Sequence, residues 1–256
     1  MLPGTLFKKQ KSMKIFIDTA NLSDIENALK RGFIRGITTN PSLLAKEPKS
    51  EFKSHIGKIV DLIKRYSPET DLSVEVFSKD PEEILKQAHD FKESFRISNL
   101  SIKVQIGWNE LEVIHRLSKE SIAVNMTCGM SVTQVIMAAA AGAKYVSLFW
   151  GRIRDGGRDE KFLSERQKSL EEKALLEEDF DPVTVVGQAR ALLGREYPKS
   201  EIIAGSMRSV ADIKQAALAG AHIVTVPPKF FPGMVSHFKT DEVVQQFLSD
   251  FSKWLS

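Results

Sequence analysis

Short apolar runs alternate with longer amphipathic stretches along nearly the whole chain. The runs are Lys14–Asp18, Gly36–Thr39, Leu72–Val76, Leu100–Ile106, Ala123–Met126, Tyr145–Phe149, Glu201–Gly205 and His222–Val226. They are rich in Val and Ile and bounded by turn formers or polar residues, the pattern of short buried strands. Between them apolar residues recur at helical spacing. Leu22, Ile25, Ala28 and Leu29 share one face behind an N-cap at Asn21 or Ser23. Ile56, Ile59, Val60 and Ile63 precede the third run, and Leu111, Ile114 and Leu117 follow the fourth. Val132, Val135, Ile136 and Ala139 follow the fifth and lead to a C-capping Gly142. Ile213, Ala216 and Ala217 lead to Gly220, and Val243, Val244, Phe247 and Phe251 form the last stripe.

Strict alternation of strand and helix implies parallel strands joined by crossover helices. Eight such units in about 240 residues fit a single closed (β/α)8 barrel, the TIM barrel of the α/β class. The alternative, an open doubly wound sheet, carries a Gly-rich phosphate loop after its first strand. Here Asp18-Thr19-Ala20-Asn21 stands at that place. No Pro/Gly/Ser-rich joint divides the chain, so residues 13–256 read as one barrel domain, with residues 1–12 an extension expected to lack fixed structure. The stretch 158–180 breaks the rhythm, with 13 of its 23 residues charged. It reads as a solvated insertion, or else as a lid or subunit contact, because a loop after a barrel strand lies on the catalytic face.

Composition narrows the classes of function. Lys and Arg total 36 against 33 Asp and Glu, a net charge of +3. That balance argues against a dedicated nucleic-acid binder. No apolar run approaches the roughly 18 residues that cross a bilayer, so no membrane partner is expected. The basic start lacks the apolar stretch of about 7–15 residues of a secretory signal, and a cytoplasmic location is expected. Cys128 is the only cysteine, which excludes an intrachain disulfide and a cysteine-based zinc cluster. The five histidines show no metal-ligand spacing. Neither a P-loop nor a dinucleotide fingerprint occurs, so no metal and no cofactor is expected.

In a barrel, polar residues at the strand C-terminal ends face the site. The first strand offers Asp18, the second leads to Asn40, the third carries Glu75 and the fourth Lys103. The fifth offers Asn125 and Thr127, and the sixth Ser147 and Phe149 followed by Arg152, each pair on one face by two-residue spacing. Ser206 and Arg208 follow the seventh, and the eighth offers little that is polar. Lys103 is the unusual one, a lysine inside the strand Ile102–Ile106. Burial there penalises an ammonium and favours a neutral amine, which can attack a carbonyl and form a Schiff base. A structural pairing with a carboxylate explains the same position. Asp18 and Glu75 are the natural proton carriers for imine chemistry, although Asp18 also suits a helix cap. Arg208 stands just before a helix beginning near Ser209, where barrel enzymes often hold phosphate. Ser206, Arg208 and Arg152 would serve a dianion there, while Arg152 alone reads equally as a surface residue. Cys128 is rejected as a nucleophile, since alternation turns it away from Thr127.

Together these segments resemble the transaldolase family, in particular its small microbial branch: Ile15–Asn21, Gly36–Leu43, Ser73–Val76, Ile102–Val104, Val124–Thr127, Tyr145–Arg152 and Gly205–Arg208. The resemblance runs from Met13 to the end. It implies a (β/α)8 barrel without a cofactor that carries a dihydroxyacetone unit between sugar phosphates. By resemblance Lys103 is the Schiff-base lysine and Asp18 exchanges a proton with the substrate hydroxyl. Glu75 and Thr127 position a water for imine chemistry, Asn40, Asn125 and Ser147 hold substrate hydroxyls, and Arg152, Ser206 and Arg208 hold phosphate. The family also contains fructose 6-phosphate aldolases, which release free dihydroxyacetone and typically carry Gln and Tyr where this chain has Glu75 and Phe149. Gln105, Leu148 and Cys128-Gly129-Met130 depart from the usual residues, but no catalytic group is lost. The branch often forms pentamer-based rings, so a homo-oligomer is implied. A barrel that binds sugar phosphates without turnover is the alternative of another class.

Overall fold

The structure is a computed structural model that describes residues 12–256. The expected extension, residues 1–12, lies outside the described residues except for Ser12. The first quarter holds β1 (Lys14–Asp18), α1 (Leu22–Lys30), β2 (Gly36–Thr38), α2 (Pro41–Leu44) and α3 (Phe52–Tyr66). Then come β3 (Asp71–Glu75), α4 (Pro81–Phe95), β4 (Leu100–Gln105), α5 (Trp108–Lys119), β5 (Ala123–Gly129) and α6 (Val132–Ala140). Next are β6 (Tyr145–Phe149), α7 (Trp150–Gly156), α8 (Leu163–Glu171) and α9 (Pro182–Glu196). The chain ends with β7 (Glu201–Gly205), α10 (Val210–Leu218), β8 (Ile223–Val226), α11 (Phe231–Val235) and α12 (Phe238–Leu255). The eight strands are parallel and close in chain order, β8 pairing with β1, into a (β/α)8 barrel. No helix among the described residues is long and apolar enough to cross a membrane.

Local chemistry explains the boundaries. Asn21 caps α1 by accepting from Asp24 N, so Asp18 is free of that duty. Gly142 and Gly220 follow α6 and α10 in the left-handed region, at φ +104° and +94°, where a side chain would be strained. The outward faces of the strands and the inward faces of the helices form the main core, including Ile25, Ile56, Ile59, Ile63, Val104, Ile114 and Val146. Inside the barrel, Phe16, Tyr145, Ile203 and Ile223 fill the N-terminal half as a separate cluster. Gly36 makes room for this plug, because a Cβ there would stand 2.4 Å from the Phe16 ring. The plug leaves only the C-terminal half of the interior for a site.

Three features depart from the reading of the pattern. β5 runs to Gly129 rather than stopping at Met126, because a bulge lets Met126–Gly129 oppose Val146–Leu148 of β6. The charged stretch folds into α8 and two short 3-10 turns, Glu160–Phe162 and Glu177–Phe180, and α8 buries no residue. The stripe Val243, Val244, Phe247 and Phe251 does form a helix, α12, but all four side chains are exposed. Periodicity specifies an apolar face without specifying what covers it.

Candidate active site

The C-terminal ends of the strands surround a cavity of about 390 Å³, of the size that takes a small ligand. Asp18, Asn40, Glu75, Lys103, Thr127, Ser147, Phe149, Arg152 and Ser206 line it. The strand register brings them together, since Glu75 stands beside Lys103 across β3 and β4, and Lys103 beside Asn125 across β4 and β5.

Lys103 is 5% exposed and points into the barrel. Its Nζ lies 2.7 Å from Glu75 Oε2 and donates to the Thr39 carbonyl at 2.9 Å. A buried ammonium needs such partners, and the same carboxylate is placed to take its proton. Asp18 is held differently. Its Oδ1 accepts from Thr38 Oγ1 at 2.9 Å, and no ion pair reaches its carboxylate among the described residues. Burial raises its pKa above the usual carboxylate range; Lys103, Thr38 and Lys46 work against that rise, and Glu75 adds to it. A carboxyl group so placed is suited to passing a proton in both directions.

The remaining interior is a hydrogen-bonded polar layer. Ser147 Oγ donates to Asn125 Oδ1 at 2.7 Å, Asn125 Nδ2 donates to Ser73 Oγ at 3.1 Å, and Ser73 and Ser101 share a bond of 2.7 Å. Asn125 is fully buried and stays behind the cavity wall, so it presents Ser147 rather than itself. Thr127 Oγ1 is buried at the wall without a hydrogen-bond partner among the described residues. A buried hydroxyl in that state asks for a bound water or ligand. Asn40 faces the cavity while its Oδ1 caps α2 through Leu43 N at 3.0 Å.

On the rim after β6 and β7, Arg152 is exposed and has no ion pair among the described residues, and Ser206 holds φ +60°. Arg208 does not line the cavity. Its guanidinium crosses Gly151, where a Cβ would meet Arg208 Nε at 2.6 Å, and Nη2 donates to Asp155 Oδ2 at 2.6 Å. Its backbone N–H donates to Asp212 Oδ2 at 3.0 Å. Asp212 is in turn gripped by Arg154, so the loop Ser206–Arg208 is fixed from below.

A family model described as Transaldolase/Fructose-6-phosphate aldolase matches residues 15–255. The chain belongs to this family. A probable transaldolase of Dehalococcoides mccartyi is 37% identical over 240 residues, which cover 93% of this chain and 98% of that protein. One of Caldicellulosiruptor saccharolyticus is 37% identical over 243 residues, covering 94% and 98%. One of Clostridium botulinum is 34% identical over 241 residues, covering 94% and 97%.

In this transaldolase/aldolase barrel the sequence pattern missed several wall residues. Thr225 of β8 lines the cavity, as do Thr38 and Ser42. Two-residue alternation places Thr225 inward with Ile223, and that signal was available. Cys128 also lines the cavity, against the reading that alternation turns it away. The bulge breaks the alternation, with Cys128 at φ +63°, so that it and Thr127 reach the same space. Burial raises the pKa of its thiol, helped by Glu75 and opposed by Lys103, which keeps it a poor nucleophile. Arg154, Asp155 and Asp212 carried no signal of a site, since charged residues on a helix surface usually face solvent.

Proposed function

We propose that the chain is a transaldolase that carries a dihydroxyacetone unit from a ketose phosphate, such as sedoheptulose 7-phosphate or fructose 6-phosphate, to an aldose phosphate through a Schiff base on Lys103. The observation that carries this reading is the buried Lys103 amine at 2.7 Å from Glu75, open to a cavity that also holds Asp18. Glu75 takes a proton from Lys103, and the amine adds to the ketose carbonyl. Loss of water from the carbinolamine, assisted by Glu75 and a water at Thr127, gives the imine. Asp18 accepts the proton of the substrate hydroxyl as the carbon–carbon bond breaks, and returns it to the acceptor's oxygen when the new bond forms. Asn40 and Ser147 hold substrate hydroxyls, with Asn125 behind Ser147 and Phe149 closing one side. Arg152, Ser206 and Arg208 form the phosphate end, Arg208 leaving Asp155 for the dianion. No step calls for a cofactor or metal.

Glu75 and Phe149 support transfer over release of free dihydroxyacetone, since the aldolases resembled above typically carry Gln and Tyr there. The exposed stripe of α12 supports a homo-oligomer, which the resemblance implies to be a pentamer-based ring, in the cytoplasm. The test is incubation with fructose 6-phosphate followed by borohydride. A mass increment on Lys103, and product only when erythrose 4-phosphate is supplied, are expected. Without an adduct both enzymatic readings fail and a binding barrel remains. Free dihydroxyacetone released steadily without an acceptor would assign an aldolase.

A further inference from the structure

Asp18 has one hydrogen-bonded anchor among the described residues, and that anchor is itself part of a chain. Thr38 Oγ1 donates to Asp18 Oδ1 at 2.9 Å and stands 2.6 Å from Thr225 Oγ1; the Ile17 carbonyl at 3.4 Å is the other acceptor within its reach among the described residues. A hydroxyl has one proton to donate. When Thr38 spends it on the carboxylate, the contact between the two threonines must be donated by Thr225. The direction of the chain is therefore fixed as Thr225 to Thr38 to Asp18. Thr38 and Thr225 are 3% and 5% exposed, so each side chain is packed into the cavity wall with its hydroxyl held against the other. The three residues come from adjacent strands, β8, β1 and β2, whose register places Phe16 opposite Thr225 and Asp18 opposite Thr38.

We propose that Thr225 and Thr38 are positioning residues for Asp18, a hydroxyl chain that fixes Oδ1 and leaves Oδ2 to exchange the proton with the substrate. This rests on the reading of Asp18 as proton carrier. Without Thr225, the Thr38 proton is free to turn to Ile17; with it, the Thr38 lone pair is filled and its proton stays on the carboxylate. A hydrogen bond to the ionised form also favours that form. The charged groups that face Asp18 are Lys103 on β4, Glu75 on β3 and Lys46 beyond α2, and none of them changes in the variants below.

The experiment measures kcat against pH for cleavage of fructose 6-phosphate with erythrose 4-phosphate as acceptor, together with ¹³C NMR titration of Asp18. Thr38→Val is expected to move the acid limb and the Asp18 titration to higher pH and to cost about tenfold in kcat, the scale of one hydrogen bond to a charged group. Thr225→Val is expected to act in the same direction and less strongly, and Thr225→Ser to restore wild-type behaviour. In the double variant the two losses are not additive, because both act on one bond. Borohydride trapping on Lys103 persists throughout, since imine formation does not use this chain. An unmoved acid limb and titration in Thr38→Val, or additive losses in the double variant, would overturn the proposal. Absence of trapping in the wild type would instead defeat the reading of the reaction, and the titration would still decide whether the chain holds Asp18.

Discussion

Arg154→Leu tests whether the loop that carries Ser206 and Arg208 is fixed from the α7 side. Asp212 stands in the first turn of α10 with its side chain 4% exposed, and Arg154 is 29% exposed. Arg154 Nη1 and Nη2 donate to the two carboxylate oxygens at 2.9 and 3.4 Å, and Arg208 N–H donates to Oδ2 at 3.0 Å. Burial alone would raise the Asp212 pKa; Arg154 and the Arg208 N–H outweigh it and hold the carboxyl below the usual range. Removing one partner of a buried pair costs about 3–5 kcal/mol, and the partial exposure of Arg154 with the surviving N–H places this case at about 2–3 kcal/mol. In a domain of this size such a loss lowers Tm by about 5–10 °C at neutral pH. A depressed carboxylate stabilises the fold above its unfolded pKa of about 3.9, and that contribution disappears as pH falls through the lower folded value. The Tm deficit of the variant should therefore shrink below about pH 4. The freed loop should also raise KM for a phosphorylated ketose more than it lowers kcat. The assay is thermal unfolding over a pH series, with steady-state kinetics. A Tm within about 1 °C of wild type at neutral pH, or a deficit independent of pH, would refute the reasoning.

Gly36→Ala drives a Cβ to 2.4 Å from the Phe16 ring and should destabilise the barrel by about 1–3 kcal/mol, read as a lowered denaturant midpoint. Iodoacetamide should alkylate Cys128 slowly at neutral pH and faster in alkali, in step with its raised pKa, and fructose 6-phosphate should protect it. Protection that fails would remove Cys128 from the substrate cavity. Phe247→Asp with Phe251→Asp should lower the particle mass in light scattering while leaving the far-UV CD of the barrel, because both side chains are exposed on α12.

The barrel was legible because its signal is redundant. Each of eight strands repeats the same message, and a boundary error such as Met126 for Gly129 leaves the topology intact. The site was legible where a residue type conflicts with its surroundings, as Lys103 does inside Ile102–Ile106. Thr38 and Thr225 produce no such conflict, since threonine is at home in any strand. Alternation misplaces Cys128 because a bulge is a property of two strands in register, and neither strand alone announces it. The helix after Arg208 suggests a phosphate ligand from sequence alone, whereas its tie to Asp155 depends on how α7 packs beside β7, a relation between residues separated by 53 positions.

The geometry also separates the two carboxylates of the site. Glu75 contacts the Lys103 nitrogen directly, whereas Asp18 feels it only through the field. In the proposed reaction that field changes with each step. While Lys103 carries an iminium charge, Asp18 is favoured as a carboxylate and can accept the hydroxyl proton. Once the bond has broken, the nitrogen lone pair belongs to a neutral enamine, and the cation that opposed the burial of Asp18 is gone. Asp18 then holds its proton more firmly, until the acceptor aldehyde arrives and the returning positive charge on nitrogen accompanies its release. Lys103→Met mimics the neutral nitrogen permanently. It should raise the Asp18 pKa beyond its already raised value in ¹³C NMR titration, while a borohydride-reduced adduct, a charged secondary amine, should leave it near that of the free protein. An Asp18 titration unmoved by Lys103→Met would mean that the lysine does not govern this carboxyl, and the alternation of base and acid would need another source.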